Sequence, residues 1–241
     1  MGDFAIVAEG ITDQIVLRNI ILAYYHDRIP EPLIVFEQPP LDVTGRAGLF
    51  HAPGGWTLVV RYLRERKYRQ ALQLNQYVVI QMDSDIASEL GITRPVGVAD
   101  EPFVDMMINR LISFIPEQDL ASVRDRLLFA IGLDEIECWL LPLVFDRSER
   151  TALSKTTGCL EAIHNKLRRS NERPLSTGDG GKDPRRYDRL SSQYRRRKQL
   201  EDAATNAGLA RFVRQLGSCR LDPQGEQGEI GASPPGDPGT P

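Results

Sequence analysis

Three carboxylates stand where two apolar runs end. Glu9 follows residues 4–8 directly, and Asp83 and Asp85 follow residues 77–80 with only Gln81 and Met82 between. Short continuous apolar runs of this kind read as strands buried on both faces. In open parallel α/β sheets, ligands bind outside the carboxyl ends of the strands. If the two strands are neighbours, Glu9, Asp83 and Asp85 converge there. Clustered carboxylates repel one another, and a set of oxygen ligands alone suits Mg²⁺ or Mn²⁺. Alternation puts Asp83 and Asp85 on the same side as long as the chain stays extended. Each piece also has a plain structural use. Glu-Gly after a strand makes a turn, Asp caps helices, and Asp13 suits a helix N-terminal dipole. The combination in this order is more specific than its parts.

A second acidic pair, Glu135 and Glu137, follows the apolar run 127–131. On a regular helix, residues two apart point about 200° from each other, so the two cannot both face one site. Glu137 is the candidate, because it flanks the apolar Ile136/Leu140 stripe, while Glu135 is free to cap. Which of them joins the site stays open, and Trp139 reads as core.

The opposite charge gathers later. Lys182, Arg185, Arg186, Arg189, Arg195, Arg196, Arg197 and Lys198 lie in one short segment, interrupted by Asp183 and Asp188. Such a cluster binds phosphates electrostatically and without sequence preference, and Tyr187 and Tyr194 could stack on unpaired bases. Its plain alternative is a solvated helix whose arginines pair with the acidic half of the chain. The glycines at 178, 180 and 181 form no phosphate-binding P-loop, since neither the motif nor its strand is present. Residues 51–56 read as a structural turn before a helix. His26, His51 and His164 are scattered, and Cys138, Cys159 and Cys219 lack metal-ligand spacing. Reduced thiols and no zinc are expected.

The elements that must position these groups alternate. Strands are predicted at 4–8, 33–36, 77–80 and 127–131. Helices are predicted from a Thr12 cap through 23, and over 56–72, 101–115 and 134–144. Strands alternating with helices imply βαβ units and a largely parallel sheet. After about residue 150 only helices are predicted, at 153–167, 187–204 and 209–216. Residues 1–145 thus read as an α/β catalytic domain, 146–221 as a helical basic appendage and 222–241 as a disordered tail. The chain has 241 residues, 41% hydrophobic and 26% charged, ordinary for a globular protein with a core. Its 30 Lys+Arg against 33 Asp+Glu leave a net charge of −3, with acids concentrated before about residue 150. No run approaches the ~20 apolar residues of a membrane span. With no signal-like start, a cytoplasmic location is expected.

Residues 8–13, Ala-Glu-Gly-Ile-Thr-Asp, together with Met82-Asp83-Ser84-Asp85, resemble the TOPRIM fold. That fold is shared by topoisomerases, bacterial primases and overcoming-lysogeny (OLD) nucleases. The chain looks most similar to small stand-alone TOPRIM-like proteins of bacterial anti-phage defence, over residues 3–140. The resemblance implies a Rossmann-like sheet with helices on both faces and a Mg²⁺-dependent nuclease. Glu9 would match the family glutamate and Asp83 and Asp85 its metal-binding Asp-x-Asp. Glu9 would complete the metal shell or move a proton. The ATPase motifs of larger OLD-type proteins are not recognisable here, so energy coupling implies a separate ATPase subunit. Two other classes fit parts of the pattern. An Asp-x-Asp nucleotide-sugar transferase has no need of Glu9, and a catalytically silent adaptor would use the same fold to bind a protein or nucleic acid.

Overall fold

The computed structural model describes residues 1–28, 30–40, 55–153, 158–177, 180–195, 200, 201, 203 and 205–221. β1 (Gly2–Val7), β2 (Ile34–Gln38), β3 (Asn75–Asp83) and β4 (Leu127–Gly132) form one parallel sheet in the order β2-β1-β3-β4. Parallel pairing requires crossovers. α1 (Ile11–Tyr24) supplies the first, α2 (Trp56–Arg64) and α3 (Tyr68–Leu74) the second. α4 (Asp100–Ile112) and α5 (Glu117–Val123) supply the third. The chain is therefore an α/β protein of Rossmann-like architecture. β1 and β3 are neighbours, as the convergence of the acids requires, with Val7 opposite Ile80. Asp83 lies opposite Gly132 at the end of the β3–β4 pair.

Strand alternation divides the core. Ala5, Val7, Val78, Ile80, Met82, Phe129 and Ile131 pack with residues of α2, α3 and α4 such as Leu63, Tyr68 and Met107. Phe4, Ile6, Val79, Leu128 and Ala130 face the other way, toward α1. Helices beyond residue 140 follow: α6 (Leu141–Val144), α7 (Arg147–Ala152), α8 (Cys159–Arg169), α9 (Pro184–Ser191) and α10 (Ala207–Ser218), and α6, α8, α9 and α10 complete the same layer. Ile163, Tyr187, Tyr194, Leu209, Phe212 and Leu216 join that core. A Cβ at Gly208 would collide with the Ile131 carbonyl, so glycine is what lets α10 lie against β4. The segment expected as an appendage is thus the cover of one sheet face.

Several predicted elements take a different form. α1 is capped by Gly10, and Thr12 lies inside the helix. The helix predicted over 56–72 divides at Arg66, whose φ of 60° breaks it. Arg66 makes a two-point contact with Asp119 at 2.8 and 2.5 Å, and the Tyr68 hydroxyl donates to the same carboxylate at 2.6 Å. The helix predicted over 134–144 is a 3-10 turn, Ile136–Leu140, followed by α6. Asp134, with φ 62°, reverses the chain before it. Within the helix predicted over 187–204, the described residues form α9, a 3-10 turn, Ser192–Arg195, and helix again at 200, 201 and 203. Cys138 and Cys159, expected as reduced thiols, form a disulfide, and Cys219 is free. The turn at 51–54 and the tail at 222–241 lie outside the described residues. No helix among the described residues is long and apolar enough to cross a membrane.

Candidate functional site

The acids gather at the carboxyl edge of the sheet because β1 and β3 end side by side. The Asp83 amide donates to Glu9 Oε1 at 2.7 Å, and the Glu9 amide donates to Gln81 Oε1 at 3.0 Å. Gln81 also donates from Nε2 to Asp83 Oδ1 at 2.8 Å. A buried glutamine, two residues before Asp83 and on the same face, thus ties the Glu9 backbone to the Asp83 carboxylate. The glycine at β4's end makes room. A Cβ at Gly132 would collide with Asp83 Oδ1 and come within 2.9 Å of the Ile136 amide.

Beyond Asp83 the chain turns. The Ser84 amide donates to the Gly132 carbonyl at 2.8 Å, and the Asp85 amide to the Asp134 carbonyl at 3.1 Å. Ser84 Oγ accepts the Asp134 amide at 2.9 Å. The extended alternation needed to point Asp83 and Asp85 the same way is therefore lost. Asp83 is buried and Asp85 is exposed.

Two more acids join. Asp13, in the first turn of α1, is 3% exposed, so it is a buried member of the site and no mere dipole partner. Glu137 is wholly buried, and its Oε1 accepts the Tyr187 hydroxyl and pairs with Lys182 Nζ at 2.6 Å. Glu137 Oε2 is buried with no hydrogen-bond partner among the described residues. Glu135 turns instead to the amide of Leu160, at 2.7 Å, and caps α8. Its capping role was legible, but the helix it caps is another one.

Burial and mutual repulsion show in the acidities. Burial pushes the Glu9 carboxyl up to about 7, with Asp13 and Asp85 adding to the rise and the Asp83 amide opposing it. Asp13 is pushed up to about 6, by burial first; Lys182 works against the rise and Glu137 with it. Asp83 stands well above the ordinary range through burial and then Asp13, Glu9 and Glu137. Desolvation works against the Lys182 charge, yet Asp13, Glu137 and Asp83 hold it above the usual lysine range. Among the described residues, Lys182 is the ammonium set among these carboxylates, and their crowding favours either protons or a further cation.

The basic segment is distributed differently from its sequence reading. Lys182 reaches the acids from the turn bounded by the Ser176–Lys182 bridge. Arg186 is spent internally, on the Pro174 and Ser176 carbonyls and on Asp183 at 3.0 Å. Asp188 pairs with Arg18 of α1 at 2.6 Å. Arg185, Arg189 and Arg195 are exposed, while Arg196, Arg197 and Lys198 lie outside the described residues. Tyr187 and Tyr194 are buried, so neither can stack on a base.

The donor set fits a hard divalent cation in kind: oxygen only, under-neutralised, with one orphaned carboxylate oxygen. Among the described residues, no group of three or more His, Cys, Asp or Glu side chains is placed to hold a metal ion by itself. Mg²⁺ does not demand such a group. It keeps several waters and is bound by one or two carboxylates together with substrate phosphates. With water and phosphate making up the rest of the shell, Asp83 and Glu9 are the side chains that could hold it, with Glu137 beside them and Asp85 at the rim. Comparison with protein-family models, curated proteins and solved structures finds no match to this chain.

Proposed function

We propose that the protein is a divalent-metal-dependent phosphodiester hydrolase of the TOPRIM type that acts on nucleic acid. One observation carries the reading. Glu9 and Asp83 are bonded to one another across the central strand pair, at the sheet edge where parallel α/β proteins bind ligands, with Asp13 and Glu137 beside them. A Mg²⁺ or Mn²⁺ ion bound there would polarise the scissile phosphate and acidify a water. Asp83, whose Oδ1 is fixed by Gln81, keeps its second oxygen for a ligand. Glu9, pushed up to about 7, is the member suited to exchange a proton with water near neutral pH. Exposed Arg185, Arg189 and Arg195 supply charge for the phosphate backbone.

The reading extends to a cytoplasmic role in anti-phage defence beside a separate ATPase subunit, following the resemblance at residues 8–13 and 82–85. In reducing cytosol, the Cys138–Cys159 bridge would be of the transient, redox-responsive kind. A second reading, the silent adaptor, is favoured by one contact, the Lys182–Glu137 ion pair that already supplies a cation to the acids. Incubation with Mn²⁺ and single- and double-stranded DNA and RNA separates them. The hydrolase yields cut products from at least one substrate, and binding without any cleavage indicates the adaptor.

A further inference from the structure

Lys182 lies far in sequence from its acidic partners, and its position invites a specific role. Its ammonium lies 2.6 Å from Glu137 Oε1 and within electrostatic reach of Asp13 and Asp83. The turn that carries it is held by short-range bonds. The Thr177 amide donates to the Gly181 carbonyl at 2.7 Å, the Gly180 amide to the Thr177 carbonyl, and the Asp183 amide to the Leu175 carbonyl at 2.7 Å. Arg186 anchors the base of the turn through the Pro174 and Ser176 carbonyls, so its backbone has a fixed seat. The lysine side chain is not so confined. It is 40% exposed, while its partner Glu137 is wholly buried. The flexible four-carbon stem allows the ammonium to leave toward solvent without moving the turn.

We propose that Lys182 and a divalent cation are alternative occupants of one site, and that metal enters by displacing the Lys182 ammonium. This rests on reading the acids as a cation site. Two observations support it. Among the described residues Lys182 is the cation beside these acids, its ammonium 2.6 Å from an oxygen of the wholly buried Glu137 carboxylate. Glu137 Oε2 remains buried and unpartnered beside the oxygen that Lys182 occupies, so the lysine satisfies only part of the site's demand. A compact divalent ion would meet more of it. Lys182 thereby sets the metal concentration at which the site fills.

Calorimetric titration with Mn²⁺ alone compares the wild type with Lys182→Met. Removing the competing charge tightens Mn²⁺ binding by roughly tenfold or more, the scale of one charge in a partly desolvated site. Equal or weaker binding by Lys182→Met overturns the competition while leaving the cation site standing. Absence of Mn²⁺ binding to either protein overturns the cation site and this inference together. The wild type gives a second readout that does not depend on the variant folding. Its Lys182 amine, followed by mass spectrometry after brief acylation, reacts several-fold faster in saturating Mn²⁺ than in chelator. Unchanged or slower Lys182 labelling contradicts displacement.

Discussion

The Asp83 amide donates to Glu9 Oε1 at 2.7 Å, so a backbone group of β3 orients a side chain from the end of β1. The bond follows from register. Val7 faces Ile80 in the parallel pair, which brings the carboxyl ends of both strands to the same edge of the sheet. Both carboxyls are then desolvated and close to other acids, which makes the metal-free site electrostatically uncomfortable.

This discomfort has a definite pH dependence. Glu9 and Asp13 titrate near 7 and near 6 in the folded protein, against ordinary values of 4.5 and 3.8. Between those limits the folded state binds more protons than the unfolded chain. Their contribution to stability is therefore full below about pH 4 and is lost as pH rises through 6 and 7. Glu9→Gln removes its part of the loss. Urea unfolding in chelator, from about pH 4.5 to 8, should show Glu9→Gln gaining on the wild type as pH rises. A variant that loses ground with rising pH would contradict the raised Glu9 acidity.

Gly132→Ala tests the packing around Asp83. The added methyl group meets Asp83 Oδ1 and the Ile136 amide, so the carboxylate and the turn that follows β4 must shift. A cost of about 1–3 kcal/mol is expected, with Mn²⁺ affinity reduced as well. Thermal melts and Mn²⁺ titration check this, and wild-type values for both would show that the site has room to spare.

The disulfide contributes in proportion to the loop it closes. Cys138 and Cys159 are 21 residues apart, for which chain-entropy arguments give about 3 kcal/mol. Reductant should lower the melting temperature of the wild type and leave Cys159→Ala unaffected. Equal melting of the wild type with and without reductant would mean that the bridge contributes nothing.

Much of the architecture was legible because it rests on local pattern. The four strands and the placement of Glu9 and Asp83 at strand ends follow from apolar runs with acids at their ends, while the β1–β3 adjacency is supplied by the sheet order. What was not legible depends on distant partners. Lys182 and Tyr187 meet Glu137 across about fifty residues, and nothing in a basic run marks which member turns inward. Asp13 looked like a helix-end charge until α9 and its neighbours covered that face of α1. The helix break at Arg66 depends on Asp119, 53 residues away. Cys138 and Cys159 lacked any motif, and only the placement of α8 against the 3-10 turn brings them together.

The exposed arginines offer a test of the binding surface. Reversal of Arg185, Arg189 and Arg195 to Glu should weaken binding to every nucleic acid tested and flatten the plot of log affinity against log salt. On duplex DNA the slope falls by about 0.9 for every phosphate that the protein ceases to neutralise. An unchanged slope would take these residues off the surface, and Arg186, being engaged internally, should instead lower stability when replaced.

The central claim is that Asp83 and Glu9 together make a metal-dependent phosphodiester site. The most direct measurement is Mn²⁺-dependent cleavage of a nucleic-acid panel by the wild type, Asp83→Asn and Glu9→Gln. All three should be shown to be folded by circular dichroism. Cleavage by the wild type with a loss of about 100-fold or more in both variants is the predicted result. Wild-type cleavage by the folded Asp83→Asn variant would contradict it.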